Sequence, residues 1–299
     1  MRDVISVFGS VNMDLVAYAD AAPARGETVT GRAFRMIPGG KGANQAIAAA
    51  RAGAPVTFIG AVGDDAFGPR LRETLVAAGV DVTHLREVEG PSGIAHITVD
   101  GRGGNAIVVV PGANGAMTGP GEAEVAAISR TGVLLLQLEL PLEAVIAAAR
   151  EARAVGVSVI LTPAPARPLP GELLDAVDVI VPNQHEAAAI TGVAEPERAL
   201  DALLERVPEV VITLGEEGVL YGSRDGERLR VPAVKVRAVD TTAAGDTFVG
   251  ALAVARAEGR PPGQALRFAS AAAALSVRKE GASTSMPGRA EIEELFAGL

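Results

Sequence analysis

The stretch GVLLLQLELPLEAVIAAAREARAVGVSVILTP (132–163) decides how the rest of the chain is read. Its opening, GVLLLQLE (132–139), is apolar almost without a break. A strand wetted on one face alternates apolar with polar residues, so a continuous run describes a strand covered on both faces. PLEAVIAAAREARAVG (141–156) then has proline near its start and glycine at its end, the usual punctuation of a helix. VSVILTP (157–163) resumes the buried-strand pattern. Strand, helix and strand in that order form a right-handed βαβ unit.

The same rhythm runs outward in both directions. VISVFGSV (4–11) reads as a strand, GANQAIAAARAG (42–53) as a helix, VTFIGAV (56–62) as a strand and DAFGPRLRETLVAAG (65–79) as a helix closed by Gly79. VDVIVPN (177–183) and EVVITLG (209–215) add further buried strands. The expected architecture is α/β: one domain over 1–299 with a doubly wound, mainly parallel central sheet flanked by helices. Two segments break the rhythm. DLVAYADAAPARGETVTGRAFRMI (14–37) and HLREVEGPSGIAHITVDGRGGNAIVVV (84–110) read as hairpin-like strands separated by turn residues. Strands inserted in this way predict a small β-sheet lid, the plainer alternative being ordinary edge hairpins.

Composition narrows the function. The chain has 299 residues, 48% hydrophobic, with a formal net charge of −9. Nucleic-acid binders present basic surfaces, so that class is disfavoured. There is no cysteine, which removes disulfides and thiolate metal sites and suits a reducing cytoplasm. His84, His96 and His185 lie far apart and show no metal-ligand spacing. The start, MRDVISVFGSVNMD, is too short in its apolar run for a signal peptide, and VLLLQL (133–138) is too short to span a bilayer. A soluble, cytoplasmic protein is expected. Lysine is rare: only Lys41, Lys235 and Lys279 among 27 basic residues. Where arginine is the default cation, a lysine marks a position suited to a compact point charge.

Ligands of open α/β sheets bind beyond the carboxyl ends of the strands. The polar residues there are Asn12 and Asp14, Glu139, Asn183 and Glu186, and the turn at Gly215. Each has a plainer reading alone: Asn183 as a helix cap, Glu139 as a loop carboxylate, Asn12 as a turn residue. GGKGANQA (39–46) is a glycine-rich turn before a helix. It is not a Walker A loop, because GxxxxGK[ST] occurs nowhere. Gly39, Gly40 and Gly42 let backbone approach a ligand, while Lys41 and Asn44 supply polar groups. VDTTAAGDTFVGALAVA (239–255) opens a helix with small residues, leaving unpaired N–H groups at its N-terminus for an oxyanion or phosphoryl group. Phosphoryl transfer needs that charge stabilisation and a carboxylate to receive the attacking hydroxyl's proton. Asp246 lies in the first turn, where Ala243, Ala244 and Gly245 would cradle the phosphoryl; its alternative is to complement the helix dipole. TLGEEGVLY (213–221) and RFASAAAALSVRKEGASTSMP (267–287) could bound a flat slot for a purine, or be packed turn and helix.

Together these stretches resemble the ribokinase-like family of sugar kinases, also called the phosphofructokinase-B type. GGKGANQAIAAARAGAPVTFIGAVGDDAFG (39–68) and DTTAAGDTFVGALA (240–253) are similar to the two family signatures. LQLELP (136–141), PNQHEA (182–187) and TLGEEG (213–218) fall between them in the family order. GSVNMD (9–14) with GGKGANQA is most similar to members acting on D-ribose. The resemblance implies a sheet of roughly nine strands, a β lid that often pairs two copies into a homodimer, and transfer of the ATP γ-phosphoryl to the 5-hydroxyl of D-ribose. It implies sugar contacts from Asn12, Asp14, Gly40, Lys41, Asn44 and Glu139. Asp246 would be the general base, with Ala243, Ala244 and Gly245 as the anion hole. Asn183 and Glu186 would arrange phosphates and Mg²⁺ through water. Thr213, Leu214, Gly215, Glu216, Glu217 and Gly218 would line the nucleotide site with Gly245 and Asp246. Asp240, Thr242, Ser276, Lys279, Gly281 and Ser285 would bind an activating K⁺, mainly through backbone oxygens. Two departures stand out: Ser270 where Asn or His often meets adenine, and Lys279–Glu280 where an Arg-Lys pair is common.

Two other readings stay open on sequence grounds. One keeps the kinase and changes the acceptor to deoxyribose, another pentose or a nucleoside. The other is a non-catalytic sugar-binding regulator on the same fold.

Overall fold

The computed structural model describes residues 4–102 and 104–299; residues 1–3 of the opening stretch and Gly103 of the second inserted segment lie outside them. In chain order the strands are β1 (Ile5–Phe8), β2 (Asn12–Tyr18), β3 (Ala33–Gly39), β4 (Val56–Gly63), β5 (Asp81–Val88), β6 (Gly93–Val99), β7 (Asn105–Val110), β8 (Val133–Leu136), β9 (Ser158–Leu161), β10 (Val179–Ile180), β11 (Glu209–Thr213), β12 (Val219–Ser223) and β13 (Arg228–Val231). The α-helices are α1 (Lys41–Arg51), α2 (Gly68–Ala77), α3 (Glu122–Ile128), α4 (Leu142–Ala154), α5 (Gly171–Leu174), α6 (Gln184–Thr191), α7 (Pro196–Leu204), α8 (Ala244–Ala257), α9 (Pro262–Ser276) and α10 (Arg289–Ala297).

Nine strands form the main sheet in the order β13-β12-β11-β10-β9-β8-β1-β4-β5. From β11 to β5 every neighbour is parallel, while β12 and β13 add an antiparallel edge. The opening stretch supplies β8, α4 and β9, and β8 lies beside β1 at the centre. Its unbroken apolar run has the expected cause. Val133 and Leu135 enter one core, with Ile5, Val7 and residues of α1, α8 and α9. Leu134 and Leu136 enter the other, with Phe8 and residues of α4 and α7. Each face is covered by helices, so neither set of alternating side chains is free to be polar.

The lid is a separate four-stranded sheet, β3-β2-β6-β7. It is mixed, because β2 and β6 run parallel while β2–β3 and β6–β7 are antiparallel. The second inserted segment is shorter than 84–110. Residues 84–88 belong to β5, which pairs with β4 at the edge of the main sheet, and the lid strands begin at Gly93. The half-exposed pattern of an outer parallel strand looks like a hairpin in sequence, which explains the misplaced boundary.

Candidate active site

The site forms where α1 and α8 start side by side at the carboxyl ends of the central strands. α1 is preceded by its N-cap Gly40, whose φ of 92° suits glycine. A Cβ there would lie 2.9 Å from the Asn12 nitrogen and the Val11 Cα, and one at Gly42 would lie 2.6 Å from the Ser10 nitrogen. The glycines of GGKGAN therefore let α1 press against the β1–β2 connection. With no side-chain cap at Gly40, Glu139 reaches across from the end of β8. Its Oε2 accepts the Lys41 N–H at 2.9 Å and also the Ser10 hydroxyl.

Asn12 and Asp14 stand at the start of β2. Asn12 Oδ1 accepts a 2.7 Å bond from the side chain of Asn114, which is also bonded to Val11 N and O. Asp14 lies against Gly39 of β3, where a Cβ would fall 2.4 Å from its carboxylate. Burial, reinforced by the nearby Glu139 charge and opposed by Lys41, raises the Asp14 carboxyl to about 7.

Asp246 is in the first turn of α8 and 8% exposed. Its carboxylate does not serve its own helix terminus. Oδ2 accepts from Asn44 Nδ2 at 3.2 Å and Oδ1 from Gln45 Nε2 at 3.1 Å, both from α1. Burial raises its pKa, while the Lys41 charge and the Gln45 hydrogen bond oppose that rise. Lys41 is pushed up in turn, chiefly by the charge of Asp246 against its own burial, with Glu139, Glu186 and Asp14 adding to the effect. Asn44 Oδ1 is buried with no partner, an acceptor available to a hydroxyl.

A cleft of about 200 Å³ opens beside Asp246, lined among others by Lys41, Asn183, Glu186, Thr213, Ala243 and Gly245. Ala243 precedes α8 with φ 57°, the one non-glycine residue with positive φ among those described. That conformation costs an alanine on the order of 1–2 kcal/mol and turns the chain sharply into the helix. The Ala244 N–H folds back onto Thr241 O at 3.2 Å. The N–H groups of Gly245 and Asp246 have no acceptor inside the helix, and both residues line the cleft.

On the far wall, Asn183 is the N-cap of α6. Its Oδ1 accepts from the N–H groups of His185 and Glu186, and Glu186 Oε2 accepts the Asn183 N–H at 2.8 Å. The cap reading of Asn183 is therefore realised at a residue that also faces the cleft. Burial, against the bond from Asn183, raises the Glu186 pKa. Thr213 bridges Asn183 and leads through Leu214 into a short 3-10 turn, Gly215–Glu217. Gly215 and Gly218 have φ of 59° and 100°. Glu216 is exposed and Glu217 is paired with Arg230 at 3.1 Å. Ser270 sits inside α9, 8% exposed, with its hydroxyl unpartnered.

The predicted cation residues converge on two loops. Asp240 accepts the N–H and hydroxyl of Thr242 on Oδ1 and the Gly281 N–H on Oδ2. Although burial pulls upward, these bonds hold its pKa below the ordinary carboxylate value. Ser276 and Ser285 donate their hydroxyls to the carbonyls of Ala273 and Ala282, leaving oxygen lone pairs free. Lys279 turns its ammonium toward Glu291 at 3.4 Å, so only its backbone could face a cation. Arg35 of the lid reaches Glu280 of this loop at 3.4 Å.

Sequence reasoning missed Ser10, Gln45, Asn114, Gln137 and Thr162. Ser10, Gln45 and Asn114 bond to Glu139, Asp246 and Asn12, and Gln137 and Thr162 bond to Gln45 behind them. Gln137 left one signal, as the polar interruption in VLLLQLE.

The chain is similar to known sugar kinases. Ribokinase of Bacillus subtilis is 44% identical over 98% of this chain and 99% of its own. Deoxyribokinase of Salmonella typhi is 35% identical over 98% of both. The structure of Arabidopsis thaliana ribokinase complexed with ribose and ATP superposes with a TM-score of 0.93 at 34% identity, covering 99% of each chain. The profile of the pfkB family carbohydrate kinases matches residues 2–289, and the chain belongs to that family.

Proposed function

We propose that this enzyme transfers the γ-phosphoryl group of ATP to the 5-hydroxyl of D-ribose, giving ribose 5-phosphate and ADP. The observation that carries the proposal is the position of Asp246, a buried carboxylate held by Asn44 and Gln45 at the mouth of the cleft. Asn12, Asp14, Lys41, Asn44 and Glu139 surround one side of it with acceptors and donors for a polyhydroxylated ligand. The N–H groups of Gly245 and Asp246 face the other side, where a phosphoryl group would gain the helix-terminus field.

In the forward step the ribose 5-hydroxyl donates its proton to Asp246 as its oxygen attacks the γ-phosphorus. The bond from that phosphorus to the β–γ bridging oxygen breaks, and ADP leaves with the electron pair. Lys41 and the N-terminus of α8 counter the charge on the transferring group. The backbone of Thr213 to Gly218 lines the nucleotide side.

Mg²⁺ enters with ATP. Among the described residues no cluster of three or more His, Cys, Asp or Glu could cage a metal. The fit is to an ion held mainly by phosphate oxygens and water, with the hard carboxylate of Glu186 nearby. Mg²⁺ would supply charge neutralisation at the β- and γ-phosphates. The oxygen-rich loops at Asp240 and 276–285 suit K⁺. There the cation would brace Ala243 and the start of α8. Among the described residues no helix is long and apolar enough to cross a membrane; with the cysteine-free composition, we infer action in the cytoplasm. We infer a homodimer through the lid from Phe34, Met36, Val108 and Val110, which are 42–64% exposed. They share one face by cross-strand register, opposite the face bearing Asp14.

The test is ADP release with D-ribose, 2-deoxyribose, fructose and adenosine, in potassium and sodium buffers, for wild type and Asp246→Asn. The expected outcome is preference for ribose, faster turnover in potassium, and a loss of about 10²–10⁴ in rate for the variant with sugar affinity kept. An acceptor used at least tenfold better than ribose would overturn the substrate assignment, and equal rates in the two salts the cation assignment. The deoxyribokinase relative makes 2-deoxyribose the informative competitor. Sugar binding without turnover would point instead to a regulator.

A further inference from the structure

Behind Asp246 the hold on its carboxylate continues from Gln45 into a second buried amide. Gln137, 1% exposed at the end of β8, donates Nε2–H to Gln45 Oε1 at 2.6 Å. Gln45 is fully buried, and its Nε2 donates to Asp246 Oδ1 and to Thr162 Oγ1, both at 3.1 Å. An amide can flip and exchange its oxygen for its nitrogen with little change of shape. Here the two ends fix it. If Gln45 flipped, its oxygen would face the Asp246 carboxylate and its NH₂ would face the NH₂ of Gln137. The Asp246 carboxylate and the Gln137 donor are satisfied together only with the Gln45 donor on the base.

Gln137 gains little for itself from this. Its Oε1 is buried without a partner. The neighbouring chain is cut back to make room, since a Cβ on Gly9 would lie 2.3 Å from that oxygen. A buried unsatisfied acceptor is a cost that a purely apolar residue in the same strand would avoid. Every other residue of VLLL and Leu138 is apolar and buried. The amide is retained where its one hydrogen bond reaches the residue that holds the carboxylate.

We propose that Gln137 and Gln45 are positioning residues forming an amide relay that orients Asp246 and keeps a hydrogen-bond donor on the oxygen away from Asn44. The inference rests on Asp246 being the base, and it gives a positioning role to two side chains that are not among those lining the cleft. The relay holds the carboxylate in one rotamer and favours its charged form, which is the form able to take a proton. The charged groups around Asp246 are Lys41 from α1, Glu139 after β8 and Asp14 from β2, with Glu186 of α6 facing Lys41. None of them changes when Gln137 is altered, so a shift in titration reports on the relay.

The experiment is Gln137→Met in the full chain, with Gln45→Met as a second variant, read by kcat, sugar KM, the pH dependence of kcat and thermal melting. Gln137→Met keeps the volume and exchanges one unpartnered buried acceptor, Gln137 Oε1, for another, Gln45 Oε1, so the melting temperature should stay within a few degrees of wild type. We expect Gln45→Met, which removes the donor to the charged carboxylate, to lower kcat about tenfold or more, the usual worth of a hydrogen bond to a charged group; Gln137→Met removes only the bond between the two amides and should lower kcat by about threefold or more. Sugar KM should stay within about threefold in both variants, and the acid limb of the kcat profile should move up, by roughly half a unit or more in Gln45→Met because loss of a donor to a carboxylate raises its pKa, and in the same direction in Gln137→Met because the remaining Gln45 donor is no longer anchored. Gln45→Met should show the same signature, larger. Unchanged kcat overturns the relay. So does a fall in kcat without a shifted acid limb, or loss of folding in both variants, since either assigns the amides a structural role alone. Asp246→Asn separates the two readings: if it retains turnover the base assignment fails, whereas if it is inactive and Gln137→Met is normal only the relay fails.

Discussion

Gly245→Ala sets the demands of the fold against those of the ligand at a single atom. A Cβ built on Gly245 meets nothing within 4 Å, and its φ is not in the left-handed region. The protein itself therefore has no steric need for glycine at this second residue of α8. Alanine in place of helical glycine gains up to about 1 kcal/mol, which for a chain of this size raises the melting temperature by roughly 1–2 °C. The added methyl, however, projects from the residue whose N–H lines the cleft, where the phosphoryl group would sit. The backbone N–H remains in the variant, but a phosphoryl group displaced by the methyl loses contact with it, and loss of one such contact lowers turnover by about 10²–10³. Coupled ADP release and a thermal melt on the same sample are sufficient. The expected result is a protein at least as stable as wild type and about a hundredfold slower. Turnover within about threefold of wild type would refute the phosphoryl site, and a clear loss of stability would assign the glycine to folding. Gly42→Ala is the contrast, because its Cβ would lie 2.6 Å from the Ser10 nitrogen and 2.7 Å from Gly9; there stability should fall as well.

Two further predictions concern Asp14 and the lid. With its carboxyl at about 7 in the ligand-free protein, Asp14 offers two charged acceptor oxygens to sugar hydroxyls only above that pH; below it one oxygen carries a proton and the other accepts more weakly, so sugar KM should rise as pH falls through 7. The raised value also means that ionising Asp14 in the folded state is unfavourable, and stability declines as pH climbs from its unfolded pKa of about 4 toward 7. Asp14→Asn should accordingly melt higher than wild type at pH 8 while binding sugar less well; a KM flat between pH 6 and 8 would contradict this. For the lid, Phe34→Lys with Val108→Lys places charges on one exposed face. Sedimentation should then report a monomer where wild type is a dimer, and a wild-type monomer at micromolar concentration would remove the lid-pairing proposal.

The order of strands and helices was legible because it depends on local pattern. Residues 132–163 encode strand, helix and strand through unbroken apolar runs and the proline–glycine punctuation, and the structure draws β8, α4 and β9 within a few residues of those limits. The small residues of DTTAAGD marked the start of α8 because a helix terminus built to expose its N–H groups must be bare. Lys41, Asn44 and Asp246 were visible as polar residues at the carboxyl ends of strands or the starts of helices.

Other features depended on contacts far apart in sequence. Residues 84–88 read as part of the lid, because an edge strand carries the same mixed pattern as a hairpin, and only pairing with β4 assigns them to the main sheet. Asn114 is 102 residues from Asn12, and Gln137 is 92 residues from Gln45. The sequence by itself determined which elements form and where charge stabilisation could occur, since both follow from periodicity and helix termini. Only the tertiary structure decided which side chains hold Asp246 and in what direction, because a hydrogen-bond network has no period and exists only once α1, α8 and β8 are packed together.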